Sequence, residues 1–117
     1  MIITEVKNMK VELTLVLKST DRAYETLQEI NGKGYNATVL SSESLRHAVD
    51  YYPGEHHFFN LRDLEKRELM ESVLCIFVVD KEKVDYLKEV IRKTTNGFKE
   101  IKGFMYTRDL LDYEGSI

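Results

Sequence analysis

The stretch Leu69-Met70-Glu71-Ser72-Val73-Leu74-Cys75-Ile76-Phe77-Val78-Val79 has the strongest β-strand pattern in the chain. Its second half is a continuous apolar run rich in Val, Ile and Phe, the residue types that strands favour. A run without polar alternation is typical of a strand that is buried on both faces. The pattern therefore predicts a central strand, with the other elements arranged around it.

A helix and a further strand are predicted after this central strand. Asp80 is a candidate N-cap, and the apolar residues that follow it recur at helical spacing. The helix is predicted to end at Thr94-Thr95-Asn96-Gly97, because Asn and Gly tolerate the left-handed backbone of a helix end. The apolar positions are Val84, Leu87 and Ile91 in the helix, flanked by Tyr86 and Val90, and then Ile101, Phe104 and Tyr106 in a strand that Gly103 weakens.

The same order of elements precedes the central strand. Residues 11–18 alternate as a strand, Ser19-Thr20-Asp21 offers N-cap oxygens, and Asn31-Gly32-Lys33-Gly34 ends a helix. The apolar positions are Val11, Leu13, Leu15 and Leu17 on one strand face, Ala23, Leu27 and Ile30 in the helix with Tyr24 beside them, and Ala37, Val39 and Leu40 in a second strand.

Two β-α-β halves joined by a long loop predict an α+β, ferredoxin-like βαββαβ sandwich that forms one domain over residues 1–117. Two helices would cover one face of a four-stranded antiparallel sheet. The other face is assigned Val16, Ile76, Val78 and Met105, which are too apolar for a fully wetted surface. We expect oligomerisation to cover it. The alternative is a monomer with a partly exposed sheet.

Composition narrows the function classes. The net charge is -3, and 17 cationic and 20 anionic residues are interspersed, so no basic field favours nucleic acid or an anionic membrane. No apolar run approaches the roughly 20 residues of a membrane helix, and no signal pattern opens the chain. The single cysteine, Cys75, is consistent with a reducing compartment. We expect a cytoplasmic protein without membrane insertion or nucleic-acid binding.

The loop between the second and third strands holds all three histidines, His47, His56 and His57. Long loops often carry function, and imidazole is the commonest transition-metal ligand, so a metal site is one hypothesis. Adjacent strand residues point to opposite faces, so His56 and His57 would not chelate together. One of them could meet His47 across a hairpin, or one histidine per subunit could converge on a threefold axis. The alternatives are a solvated or partner-contacting loop and a site for phosphate or carboxylate.

Aromatic and basic residues add two further candidate features. The aromatic side chains of the loop, Tyr51, Tyr52, Phe58 and Phe59, are expected to pack on the sheet or on a neighbouring subunit, or to stack on a ligand or partner. Lys99, Lys102 and Arg108 would suit a phosphate-bearing ligand; a solvated charged face is the alternative. The chain has no nucleophile motif, Walker loop or dinucleotide-binding glycine pattern, so it is not predicted to be an enzyme.

Over residues 11–113 the chain resembles the PII nitrogen-signalling family and its PII-like relatives. The resemblance rests on the helix end at 29–35 with the strand at 37–40, and on a long excursion at the position of the family's T-loop. It also rests on the third strand and its helix, with residues 91–97 at the place of the B-loop. Lys102-Gly103-Phe104 lies where the family has a Lys-Ile-Phe strand start.

The resemblance implies a homotrimer that binds an adenine nucleotide, often with 2-oxoglutarate, in clefts between subunits. It also implies a T-loop-like insertion at 45–68 that contacts a regulated protein. The candidate ligand-binding residues are Arg46, Lys99, Lys102 and Arg108, and the candidate partner-binding residues are Tyr51, Tyr52, His56, His57 and Phe58. The alternative is a metal-binding protein of the same architecture, like the CutA copper-tolerance family, with His47, His56 and His57 as ligands.

Overall fold

The computed structural model describes residues 9–18, 20–51 and 71–116. The strands are β1 (Lys10–Lys18), β2 (Thr38–Ser42), β3 (Ser72–Asp80) and β4 (Gly103–Asp109), and the helices are α1 (Asp21–Gly32), α2 (Leu45–Tyr51) and α3 (Val84–Thr95). A single 3₁₀ turn, Lys81–Lys83, leads into α3. The element order agrees with the predicted one, except that α2 is a helix within the segment that was predicted as a loop.

The four strands form one sheet in the order β2-β3-β1-β4, and each neighbouring pair is antiparallel. The stretch with the strongest strand pattern, β3, is therefore a central strand, as predicted. This topology with two long helices confirms the ferredoxin-like α+β prediction. None of the helices in the described ranges has the length and apolar character that crossing a lipid bilayer requires.

The core lies between the sheet and helices α1 and α3. Leu13 stands opposite Phe77 and Leu15 opposite Cys75 in the β1–β3 register, and all four side chains are buried. Burial in this apolar layer raises the pKa of the Cys75 thiol to about 11, so it remains protonated at neutral pH. The helices complete the core with Ala23 and Ile30 from α1 and Val84, Leu87, Val90 and Ile91 from α3.

The structure confirms two of the predicted helix boundaries and corrects a third. Thr20 caps α1, since its Oγ1 accepts a hydrogen bond from the Ala23 N–H at 3.1 Å. α3 ends where Asn96 adopts the left-handed conformation at φ 52°. Asp80 does not cap α3. It lies opposite Lys10 in the β1–β3 register and forms an ion pair with the Lys10 ammonium at 2.5 Å.

The sheet face opposite the helices has an apolar central band, between the Glu12–Arg108 ion pair and Lys18, that the described residues cover only partly. Val16 is flanked in register by Leu74 and Phe104, and Leu40 continues this row on the edge strand. Ile76 and Val78 also belong to this open face and are half-buried, as predicted. The assignment of Met105 to it was wrong. Met105 pairs with Leu15, and therefore points to the helices and packs on the core.

Among the glycines of the described residues, Gly103 is the one at which an added side chain would meet the closest contact. A Cβ there would lie 2.1 Å from the backbone oxygen of Val16, on the neighbouring strand. We expect Gly103→Ala to lower the free energy of unfolding by about 1–3 kcal/mol, the usual cost of overpacking. Urea denaturation measures the change. Gly32→Ala is the matched control, because a Cβ at Gly32 meets nothing within 4 Å; equal losses in both variants would contradict the prediction.

Candidate functional site

The two ends of the long insertion are fastened together where β2 ends and β3 begins. Ser42 and Ser72 form the last registered pair of these strands, and their hydroxyl oxygens lie 2.7 Å apart. The Glu71 carboxylate accepts one hydrogen bond from the Ser44 backbone N–H at 2.9 Å and another from the Ser44 hydroxyl at 3.1 Å. We call these four residues the latch.

Helix α2 begins directly from the latch. The Ser44 hydroxyl accepts a hydrogen bond from the His47 N–H at 3.1 Å, and the Ser44 carbonyl accepts one from the Ala48 N–H at 3.0 Å. Ser44 is therefore bonded both to the first turn of α2 and to Glu71, which lies at the far end of the insertion. A movement of Glu71 would therefore displace Ser44 and disturb the hydrogen bonds at the start of α2.

The residues around the latch favour an ionised Glu71. The two hydrogen bonds from Ser44, together with the nearby His47 and Lys18, hold the pKa of the Glu71 carboxyl below its ordinary value, although partial burial opposes this shift. A second carboxylate, Glu43, lies against Nδ1 of His47, and its side chain is only 8% exposed. The β2–β3 side of this region therefore holds two carboxylate groups, those of Glu43 and Glu71.

A cleft of about 450 Å³ opens beside the latch on the open face of the sheet. Its floor is apolar and consists of Val16, Leu74 and Phe104. Its rim is polar and contains Lys18, Lys102, Ser42, Glu43, Ser44, Glu71 and Ser72. An apolar floor with a few convergent polar groups is the usual make-up of a small-molecule site.

Of the four predicted ligand-binding residues, Lys102 lies at this cleft. Its carbonyl accepts a hydrogen bond from the Lys18 N–H at 2.8 Å, which brings the two lysines side by side at the end of the sheet. Lys99 lies in the turn after α3, and Arg46 is exposed on α2. Arg108 lies six residues along β4, roughly 20 Å from Lys102 at the usual strand rise, where it pairs with Glu12 at 3.1 Å.

Most of the predicted loop residues lie outside the described ranges. This applies to Tyr52, His56, His57 and Phe58, while Tyr51 is the last residue of α2. His47 was expected in the loop that follows the second strand and lies within α2 instead. Within residues 9–18, 20–51 and 71–116, no group of three or more His, Cys, Asp or Glu side chains could hold a metal ion. The metal site with His47, His56 and His57 stays a prediction.

Sequence reasoning missed Lys18 and Glu71 as cleft residues. Lys18 is the polar end of an alternating strand, and Glu71 stands just before a long apolar run. Neither position is unusual in a sequence. Their roles arise from strand register, which places Lys18 opposite Ser72 and hence beside Glu71. The one local signal was the serine-rich end of β2, because serine hydroxyls at the ends of neighbouring strands can hydrogen-bond to each other.

No protein-family model and no curated protein matches the chain. Among solved structures, a functionally unknown protein from Pediococcus pentosaceus is similar to it, with a TM-score of 0.55 and 12% sequence identity. The superposition covers 92% of this chain and 99% of that chain. At this identity the likeness concerns the fold alone.

We expect the latch to open in acid. Because the folded-state pKa of Glu71 is depressed, its stabilisation is complete above the ordinary value of 4.5 and is lost as the pH falls through the lower folded pKa. An NMR titration should show the Ser44 amide resonance shifting with a midpoint below 4.5. The step should vanish in Glu71→Gln and persist in Glu82→Gln, an exposed control. A midpoint above 4.5, or a step that survives Glu71→Gln, would refute this assignment.

Proposed function

We propose that this chain is a PII-like signal-transduction protein. It senses a small ligand, a nucleotide or another anion, in clefts at the subunit boundaries of a homotrimer. It regulates a partner protein through the insertion 45–68. Binding of such a ligand does not require a chemical step.

The observation that carries this proposal is that the cleft and the latch share residues. Ser44 and Glu71 form the rim of the cleft and also hold the start of α2. A ligand that contacts the rim therefore has differential contacts with the closed and open forms of the latch. Such a difference is the physical requirement for a ligand to shift a conformational equilibrium.

Positive charge on the rim supports an anionic group on the ligand. Lys18 and Lys102 are exposed and adjacent at the β1–β4 end of the cleft. Within the described ranges neither lysine has a carboxylate within ion-pair distance, so both retain their capacity to bind an anion. A lysine ammonium can donate three hydrogen bonds to carboxylate or phosphate oxygens.

The apolar open face supports self-association. The side chains of Leu40 and Phe104 are about half exposed there, and Phe104 stacks on the equally exposed Tyr106, with ring centroids 6.4 Å apart. A contiguous apolar surface of this kind on a small domain is typical of an interface. The cleft lies at the edge of this face, so a neighbouring subunit would complete its wall.

The ligand part of the proposal is tested by thermal unfolding with ATP, ADP, AMP, a cyclic dinucleotide and 2-oxoglutarate. A ligand at 100 times its Kd adds about 2.7 kcal/mol of stability, which raises Tm by several degrees. Lys102→Met should remove most of the shift because it deletes a cation of the rim. Lys93→Met, an exposed lysine of α3, is the control and should keep it. If none of these compounds raises Tm, nucleotide and 2-oxoglutarate sensing is rejected.

The trimer is tested by light scattering at several concentrations. We expect a mass about three times the 13.7 kDa of the chain for the unaltered protein. Phe104→Glu, at a side chain that is 55% exposed on the open face, should give monomers. Tyr24→Glu is the matched control, since Tyr24 is 64% exposed on α1. A monomeric unaltered protein, or a trimer that tolerates Phe104→Glu, would exclude this interface.

A further inference from the structure

The rim of the cleft carries carboxylates at one end and ammonium groups at the other. Across the end of the sheet, the order of residues is Ser42 on β2, Ser72 on β3 and Lys18 on β1, with Lys102 bonded beside Lys18. Glu43 and Glu71 adjoin the two serines in sequence, so the carboxylates occupy the β2–β3 half of the rim. The ammonium groups occupy the β1–β4 half. Neighbouring strands are about 4.8 Å apart, and one to three strand spacings separate the members of the two halves, so the halves face each other across roughly 5–14 Å.

This arrangement of charges disfavours a ligand that carries only negative or only positive groups. A multiply charged anion attracted by Lys18 and Lys102 would also face the Glu71 carboxylate and would lie near Glu43, which pairs with His47. The surroundings of Glu71 keep it ionised at neutral pH, so protonation does not relieve the repulsion. A cation without an acidic group would face the two lysines. Unfavourable contacts of this kind set specificity as effectively as attractive ones.

We propose that the ligand of this cleft is a small amino-acid-like zwitterion with an apolar side chain. Its carboxylate binds Lys18 and Lys102, its ammonium group binds Glu71, and its side chain lies on the apolar floor. The inference rests on the proposed function in that the same cleft senses a small ligand, but it replaces the nucleotide or other anion named there with a ligand that carries an ammonium group as well as a carboxylate.

The dimensions of such a ligand agree with the rim. Charge-assisted hydrogen bonds span about 2.8 Å at each end. The amine nitrogen and the carboxylate oxygens of an α-amino acid are on the order of 3 Å apart, given the standard backbone bond lengths. Together these lengths bridge roughly 8–9 Å between a glutamate oxygen and a lysine nitrogen, which falls within the separation of the two halves of the rim.

The carboxylate half retains the capacity to accept an ammonium group. Each oxygen of Glu71 accepts one hydrogen bond from Ser44, and a carboxylate has about four acceptor sites in total. An ammonium group bound at the remaining sites would share the oxygens that accept from Ser44 and would weaken the Ser44 hydrogen bonds. Binding at this end of the rim would therefore act on the latch and, through Ser44, on the start of α2.

The floor accommodates an apolar body. Val16 and Leu74 are half-buried and Phe104 is 55% exposed, so a side chain that covers them removes apolar surface from water. The cleft volume of about 450 Å³ leaves room for an aliphatic or aromatic side chain together with bridging water.

Isothermal titration calorimetry on the full chain tests the inference with L-phenylalanine, L-leucine and L-glutamate as probes. We expect L-phenylalanine and L-leucine to bind. N-acetyl-L-phenylalanine, which lacks the ammonium group, and L-phenylalanine amide, which lacks the carboxylate, should each bind at least about tenfold more weakly than L-phenylalanine, because each loses a charged hydrogen bond. L-glutamate should bind more weakly than L-leucine, since its second carboxylate meets the apolar floor.

Two variants assign the two ends of the ligand. Lys102→Met should weaken the binding of L-phenylalanine and leave the affinity for L-phenylalanine amide unchanged. Lys93→Met should change neither affinity. Glu71→Gln should reduce the ratio of the affinity for L-phenylalanine to the affinity for N-acetyl-L-phenylalanine. Equal affinity for L-phenylalanine and N-acetyl-L-phenylalanine overturns the inference in favour of an anion site.

The same titrations separate this inference from the function on which it rests. If none of the three amino acids binds while a nucleotide or 2-oxoglutarate does, the zwitterion is excluded and sensing in the cleft stands. If neither group binds, both the inference and the ligand part of the proposed function fail.

Discussion

The register of β1 on β3 sets the positions of the core, the open face and the cleft. It places Leu13 opposite Phe77 and Leu15 opposite Cys75, and so directs four buried side chains to the same layer beneath the helices. Side chains alternate between the faces of a strand, so a slip of one residue would turn this set toward solvent. The loss of burial for a single large apolar side chain is about 1.5–3 kcal/mol, and a slip would affect several at once.

The same register determines the open face. With the core residues directed to the helices, Val16 and Leu74 must point the other way, and Phe104 joins them through the β1–β4 pairing. The sheet thus carries apolar side chains on both faces, but the described chain covers only one of them with helices. The proposed trimer and the floor of the cleft are two consequences of this one arrangement.

At the end of the sheet the register also brings opposite charges together. Glu71 and Lys18 are separated by more than fifty residues in sequence, yet Lys18 lies opposite Ser72, the immediate neighbour of Glu71. The carboxylate stabilises the closed latch through Ser44, while the lysines remain directed to the cleft. The base of the insertion consequently holds the two ends of the insertion together and also forms part of the rim, which is the physical basis for the proposed link between ligand binding and the insertion.

The sequence alone predicts the order of the elements apart from α2, the central position of β3 and the inward face of β1, because these follow from local spacing of apolar residues and from turn residues such as Asn96. The sequence also offered Lys102 as a candidate ligand-binding residue, and this residue lies at the cleft. Tertiary structure was needed to place Met105 in the core, Asp80 beside Lys10, and Lys18 with Glu71 at one cleft away from Arg108. These outcomes depend on which residues stand opposite one another on neighbouring strands, and that register is set by packing of the whole core, which no local pattern contains.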